Sequence, residues 1–192
     1  MPLLTETEVR ARADRAMRSR QASAHEILAE SIDENKVFDV FLSHSTSEPE
    51  RILLGVKSFL EDEGLSVYVD KYTDSHLSPE HVTIETAKLL RRRLSNSKSL
   101  LYIYSNHSKL SRWMPWELGF MDGKGRRIGI APVSDTKEDV FAGEDFLGLY
   151  PYLDRGAING SGKLTLWIQS SSEIYAELAP WIRRNEEIQL HR

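Results

Sequence analysis

Short apolar runs alternate along the chain with longer segments in which apolar residues recur every three to four positions. Four of these runs are too short for helices and predict β-strands. They occupy residues 37–42, 65–69, 99–104 and 126–132. A fifth strand is expected either at residues 149–153 or at residues 164–168.

The segments between the runs have the spacing of amphipathic helices. The first such helix follows residues 45–50 and ends at Gly64, with Ile52, Val56, Phe59 and Leu60 on its apolar face. The next carries Ile84, Ala87, Leu90 and Leu94 on one face. A last helix is expected at about residues 171–184. Strands that alternate with helices predict an α/β fold in which helices cover both faces of a parallel sheet.

The N-terminal part of the chain differs from this pattern. Residues 5–30 contain no proline or glycine and predict one helix with a thin apolar stripe. The stripe consists of Val9, Ala13, Ala16, Met17, Ala24 and Ile27. It could pack on the domain that follows, or it could pair with a second chain as a short coiled coil. The polar residues 31–36 predict a linker, so we divide the chain into an N-terminal helical extension and linker, residues 1–35, and a main domain, residues 36–192.

Composition narrows the functional classes. A chain of 192 residues suits one hydrophobic core, and its net charge of -4 argues against a nucleic-acid partner. The absence of cysteine excludes disulfides and thiolate zinc sites, and the six histidines show no metal-binding spacing. No apolar run approaches the ~20 residues that span a bilayer, and the first residues lack the features of a signal peptide. We therefore expect a cytoplasmic protein without a membrane partner or a metal.

Candidate functional residues follow the predicted strands, because open parallel sheets bind ligands beyond the carboxyl ends of their strands. These residues lie at 43–45, 70–72, 105–107 and 132–134. Ser43 and His44 end the first strand, where they could bind ribose or phosphate groups of a nucleotide or merely cap the next helix. Asp70 ends the second strand and has the same two alternatives.

Residues 111–123 place two tryptophans around a single carboxylate, Glu117. With Ser111 as the N-cap of a helix, Trp113 and Glu117 lie four residues apart on one helix face. Trp113 could stack on a flat heterocycle and exclude water, or it could pack in the core. A core position is the expected role of Trp116.

Two segments together resemble a known family. Residues 38–45, Phe-Asp-Val-Phe-Leu-Ser-His-Ser, form a first strand, and Ser111-x-Trp113-x-x-x-Glu117-Leu118 follows the third. In this order they resemble the Toll/interleukin-1 receptor (TIR) domain family, especially its bacterial members. The resemblance runs from about residue 37 to about residue 183. This chain departs from the family pattern at residues 46–49, at Tyr68 and at Met114.

The resemblance implies a flavodoxin-like fold with a five-stranded parallel sheet, and cleavage of NAD+ at the nicotinamide-ribose bond. The products would be nicotinamide and either ADP-ribose or a cyclised isomer. Glu117 takes the position of the family's catalytic glutamate and Trp113 lines the site, with Ser43, His44 and Asp70 as further candidates for substrate binding. NAD+ is the substrate, and no separate cofactor is expected.

The family also suggests biological roles and partners. Bacterial members point to antiviral defence by NAD+ depletion or by a cyclic ADP-ribose signal. We expect a homo-oligomer formed through TIR-TIR contacts, with a separate sensor or effector protein as a further partner. Two other functions stay open: a non-catalytic adaptor that associates through residues 71–81, and an enzyme like a nucleoside deoxyribosyltransferase.

The chemistry is compatible with one carboxylate. Glycosidic bonds usually require two carboxyl groups, one of which protonates the leaving oxygen. The leaving group of NAD+ is a pyridinium that departs neutral, so it needs no proton. A single glutamate against the ribose can stabilise the positive charge that develops on the sugar.

Overall fold

The fold is described by a computed structural model. The description covers residues 3–30, 36–69, 83–108, 111–135, 141, 145–158, 160–184 and 186–190. Nine strands in these ranges join in one sheet. Within the described residues, no helix has the length and apolar character needed to cross a membrane.

Five consecutive strands of the sheet run parallel and form the centre of the protein. They are β2 (Phe38–Ser43), β3 (Val67–Tyr68), β4 (Ser97–Tyr104), β5 (Arg127–Ser134) and β6 (Tyr152–Ala157). Their order in the sheet is β3-β2-β4-β5-β6. This is the flavodoxin-like order, in which the first strand of the series stands between the second and the third. The expected flavodoxin-like α/β fold is confirmed for these five strands, whereas the described sheet as a whole is larger than the expected five strands and includes the antiparallel strands described below.

Helices cover both faces of the sheet. All six residues of β2 are buried, as expected for a strand covered on both sides. One face packs against α3 (Glu50–Asp62), in which residues 52–60 are all buried. The other face packs against α4 (Ile84–Ser95) and α5 (Trp113–Gly123). The predicted face of α4 is wrong at Ile84, which is 72% exposed because it opens the helix before the contacts with the core begin.

Both segments that were candidates for the fifth strand overlap a strand of the C-terminal region. The parallel strand β6 begins at Tyr152, which pairs with Ile130, while Leu149 ends a 3-10 helix (Asp145–Leu149) and is exposed. The second candidate is β7 (Leu164–Ser171), which pairs antiparallel with β6. The predicted last helix is wrong in its first half. Residues 174–177 form β8 (Ile174–Glu177), since they complete a hairpin with β7, and only α6 (Leu178–Arg183) is helical.

The predicted N-terminal helix is two helices, α1 (Glu6–Arg20) and α2 (Ala24–Leu28). The break occurs where Gln21 adopts a left-handed conformation, with φ of 51°, and Ser23 then caps α2. Gln21 itself gives no signal of this break, since glutamine is an ordinary helix former, but Ser23 and Glu26 have the spacing of a capping box that starts a new helix.

The apolar stripe of α1 packs on the rest of the chain. Val9 and Ala13 are fully buried in the same core cluster as α3. The two helices approach so closely at Gly55 that a Cβ atom there would overlap the carbonyl oxygen of Val9. Of the two uses considered for the stripe, the structure shows this intramolecular one.

The short segment before α1 pairs with the end of a parallel strand. Strand β1 (Leu4–Thr5) pairs in parallel with the end of β5, at Val133 and Ser134. The N-terminal segment therefore starts beside the carboxyl ends of the parallel strands, where the candidate site lies. A last short strand, β9 (Gln189–Leu190), pairs with β8.

Candidate functional site

A buried glutamate stands at the carboxyl edge of the sheet. Glu117 lies in the middle of α5, and only 2% of its surface is exposed. The hydroxyl of Ser43, the last residue of β2, donates a hydrogen bond of 2.5 Å to Oε2 of Glu117. Ser43 is 1% exposed, so this contact is shielded from water. The structure thus brings together two of the residues that the sequence predicts for the site.

The neighbouring strand contributes a tyrosine to the surroundings of Glu117. Tyr102 of β4 pairs with Ser43 in the sheet register and is buried. Burial raises the pKa of the Tyr102 hydroxyl, and the negative charge of Glu117 raises it further. The phenol therefore stays neutral and remains a possible hydrogen-bond donor close to the carboxylate.

The start of α5 is close to the predicted one. The helix begins at Trp113 with Arg112 at the N-cap position, one residue later than expected. Ser111 still satisfies a backbone group of the first turn, because its hydroxyl accepts a hydrogen bond of 3.3 Å from the N–H of Met114.

The two tryptophans of α5 have different environments. Trp113 is half-buried and packs against the core cluster on its side of the sheet. Trp116 is 39% exposed, so its interpretation as a core residue is wrong. Its ring meets Trp113 edge-on at 5.6 Å and stacks on Phe120 at 5.8 Å. Trp116 stays near the surface because Met114 and Leu118 occupy the inward positions of the helix.

His44 follows Ser43 and is also buried, with 7% exposure. Its Nδ1 lies 3.1 Å from the carbonyl oxygen of Leu42, so Nδ1 carries the proton and donates it. Neither Ser43 nor His44 caps the next helix, because the N-cap of α3 is Pro49 and no side chain caps it. Of the two roles considered for this pair, helix capping is thus wrong, and substrate binding stays a prediction.

The remaining predicted residues follow the second parallel strand in the sequence. Asp70 and residues 71–81 lie outside the described part of the chain. The role of Asp70 in substrate binding and the role of residues 71–81 in association therefore stay predictions.

Sequence reasoning missed a second buried carboxylate, Glu48. Glu48 lies in the segment 45–50 that precedes α3, two residues before the helix begins, and only 1% of it is exposed. Its Oε2 accepts a hydrogen bond of 2.7 Å from the hydroxyl of Ser105, just after β4. Burial raises the pKa of Glu48, while Ser105, His107 and His44 oppose the rise. The only sequence signal was the position of Ser105 at the end of a predicted strand.

The arrangement suits stabilisation of a cation. A carboxylate that is held by a buried hydroxyl and shielded from bulk water interacts strongly with a positive charge nearby. The half-buried indole of Trp113, one turn earlier on the same helix, offers a flat apolar surface for a ring.

Comparison with known proteins identifies the relatives of this chain. No family model matches it. A protein of Bacillus cereus (strain MSX-D12) named "Probable 3' cyclic ADP-D-ribose synthase ThsB'" is 42% identical over 154 residues, which cover 80% of this chain and 79% of the relative. A protein of Cytobacillus dafuensis named "Putative cyclic ADP-D-ribose synthase TIR2" is 30% identical over 113 residues, which cover 58% of this chain and 30% of that protein. Since the first similarity extends over most of both chains, this protein belongs to the same family of bacterial TIR-type domains as ThsB'.

Proposed function

We propose that this protein cleaves NAD+ at the nicotinamide-ribose bond and closes the remaining ADP-ribose into a ring. The observation that carries the proposal is the buried Glu117 and its hydrogen bond from Ser43 at the carboxyl edge of the sheet. The names of both relatives, cyclic ADP-D-ribose synthases, support cyclisation over hydrolysis.

Glu117 is the proposed catalytic residue. When the bond between the ribose C1 and the nicotinamide nitrogen breaks, its electron pair goes to the nitrogen and nicotinamide leaves neutral. The positive charge that remains on the ribose is stabilised by the carboxylate of Glu117, in surroundings from which water is largely excluded. A hydroxyl oxygen of the same ADP-ribose then forms the new bond to C1, its O–H bond breaks, and the proton passes to water.

The other predicted residues would bind and orient NAD+. Trp113 offers the indole on which a nicotinamide or adenine ring can stack. Ser43 orients Glu117, and His44, which is buried next to Ser43, is proposed as a contact with the substrate. Asp70 is proposed as a further polar contact with the substrate.

The family suggests a role in bacterial defence against phage. A cyclic ADP-ribose product would act as a signal to a separate effector protein. We also propose that activity requires association of several copies, with a site completed by a neighbouring subunit. In that case, the specific activity rises with protein concentration, and a rate strictly proportional to concentration in a monomeric sample would refute the assembly.

The test is incubation of the concentrated protein with NAD+, with the products resolved by liquid chromatography and mass spectrometry. Glu117→Gln keeps the size of the side chain but removes its charge, and it is expected to abolish turnover. The matched control is Glu85→Gln, the same change at an exposed position in the first turn of α4, which should leave turnover unchanged.

The products decide between the alternatives. A cyclic isomer of ADP-ribose that is absent with Glu117→Gln supports the proposal. ADP-ribose alone would make the protein a hydrolase. Equal turnover by Glu117→Gln and the wild type would contradict the role of Glu117, and intact NAD+ throughout would favour a non-catalytic adaptor.

A further inference from the structure

The second buried carboxylate is fixed between two segments at the edge of the sheet. Glu48 belongs to the loop that leads from β2 to α3, and its N–H donates a hydrogen bond of 3.0 Å to the carbonyl oxygen of Ser45. Its Oε2 accepts the hydroxyl of Ser105 at 2.7 Å. Glu48 therefore joins the end of β2 to the end of β4 through a contact that water does not reach.

A chain of hydrogen bonds continues from Ser105 to α5. The Ser108 hydroxyl donates to the Ser105 carbonyl oxygen at 2.8 Å and accepts from the Ser105 N–H at 3.2 Å. The N–H of Ser111 then donates to the Ser108 carbonyl oxygen at 3.2 Å. Finally, the Ser111 hydroxyl accepts from the N–H of Met114 in the first turn of the helix. The position of Ser105 is thus transmitted to the start of the helix that carries Trp113 and Glu117.

The end of β2 also contacts α5 directly. Ser43, five residues before Glu48, donates directly to Glu117 of α5. The end of β2 and the loop after it are thus connected to α5 both directly, through Ser43, and indirectly, through Glu48 and Ser105. The buried side chains of α5 already hold the helix against the sheet, and links at separate points further restrict its orientation.

We propose that Glu48 is a positioning residue, which acts through Ser105 to orient the start of α5 and hence Trp113 and Glu117. Its catalytic consequence rests on the proposed function. The proposal gives Glu48 a role through Ser105, whose hydroxyl its Oε2 accepts, and no contact with the substrate.

The first experiment compares steady-state kinetics of Ser105→Ala, Glu48→Ala and Glu48→Gln with those of the wild type. The first two variants break the link, and we expect kcat to fall by about tenfold to hundredfold with KM changed by less than about threefold. Glu48→Gln retains a side-chain oxygen that can accept from Ser105, so we expect it to keep kcat within about threefold of the wild type.

The matched control is Ser99→Ala, at a buried serine within β4. Its hydroxyl donates to the carbonyl oxygen of Asp39 at 2.7 Å and takes no part in the links to α5. This variant loses a buried hydrogen bond of similar length, so a general loss of stability would appear in it as well. We expect its kcat to match that of the wild type once rates are corrected for folded protein.

A second readout does not depend on turnover. Hydrogen exchange of the amides of Ser111 and Met114 should be faster in Ser105→Ala and Glu48→Ala, and unchanged in Ser99→Ala and Glu48→Gln. Unchanged exchange in Ser105→Ala, or a kcat like that of Ser99→Ala, would overturn the positioning role. If the wild type does not cleave NAD+, the proposed function fails, and the exchange measurement alone decides whether Glu48 orients α5.

Discussion

The hydroxyl of Ser43 lies 2.5 Å from Oε2 of Glu117, although 74 residues separate the two in the chain. One residue ends the first parallel strand, and the other occupies the middle of a helix on one face of the sheet. Their contact gives the carboxylate a defined orientation, because a buried glutamate without a donor could take several rotamers. The proposed catalysis depends on this contact.

Removal of the Ser43 hydroxyl should therefore reduce activity more than stability. We expect Ser43→Ala to lower kcat by about tenfold or more, because the free energy of one hydrogen bond to a charged group corresponds to a rate factor of this size. The control is Ser47→Ala in the same loop, whose hydroxyl is exposed and does not contact Glu117. Similar kcat values for the two variants in NAD+ turnover would show that Ser43 does not orient Glu117.

The two tryptophans of α5 should contribute unequally to substrate binding. Trp113 is half-buried on the turn before Glu117, whereas Trp116 is largely a surface residue. We expect Trp113→Ala to lower kcat/KM for NAD+ by about tenfold and Trp113→Phe to recover part of the loss, since a ring for stacking returns. Trp116→Ala should change kcat/KM less than Trp113→Ala, and the opposite order would exclude Trp113 as the stacking residue.

Asp39 should contribute to stability in a pH-dependent way. Burial alone would raise its pKa, but hydrogen bonds from Arg183, Ser66 and Lys98 outweigh burial and hold the pKa of Asp39 well below its usual range. A carboxyl whose pKa is lower in the folded state stabilises that state above its unfolded pKa of about 4, and this contribution is lost as the pH falls below that value.

We therefore expect Asp39→Asn to lower the free energy of unfolding by about 2 kcal/mol at pH 7. The difference from the wild type should narrow as the pH is lowered below about 4. Denaturant unfolding at several pH values measures both quantities. A difference that is constant with pH would contradict the charged interaction of Asp39 with Arg183.

Asp154, in contrast to Asp39, should lower the stability of the protein at neutral pH. It is fully buried on β6, and the neighbouring side chain of Gln169 offsets the cost of burying its charge only in part. Burial raises the pKa of Asp154 to about 7. Because the folded state holds the proton more tightly than the unfolded state, the protein loses stability as the pH rises from about 4 to about 7.

Asp154→Asn removes this titration. We expect the variant to be more stable than the wild type by about 2 kcal/mol at pH 8, with the gain disappearing near pH 4. Thermal unfolding across this range is the measurement. A variant that is less stable at pH 8 would mean that the ionised carboxylate has a favourable partner.

The close contact between α1 and α3 should make position 55 intolerant of a side chain. A Cβ atom at Gly55 would overlap the backbone of Val9, and backbone cannot move aside as a flexible side chain does. We expect Gly55→Ala to lower the free energy of unfolding by about 2 to 3 kcal/mol. Gly119→Ala, in the open middle of α5, is the control and should stabilise the helix by about 0.5 to 1 kcal/mol.

The sequence by itself determined the class of the fold and the principal candidate residue. Strands β2, β4 and β5 were predictable because continuous apolar runs of this length occur where a strand is buried on both faces. Glu117 and Trp113 were identified by the order of two short motifs, and Ser43 by its place at the end of a strand. These signals are local, so the sequence displays them directly.

Predictions of helices from the local sequence were wrong where strand pairing or packing between distant residues determines the structure. Residues 174–177 have a composition that a helix accepts, yet they form β8 because β7 offers them hydrogen-bond partners. Gln21 ends α1 in a left-handed conformation, and the packing of α1 and α2 against α3 determines where the chain must turn.

Only the tertiary structure decided which polar residues of the site touch. The Ser43–Glu117 and Glu48–Ser105 hydrogen bonds join positions far apart in the chain. The local sequence around each residue does not predict which residue it will contact. Glu48 comes shortly before a predicted helix, where acids are common, so its position in the sequence does not indicate burial. It is a buried part of the site because the parallel order of β2 and β4 brings the ends of both strands to the same edge.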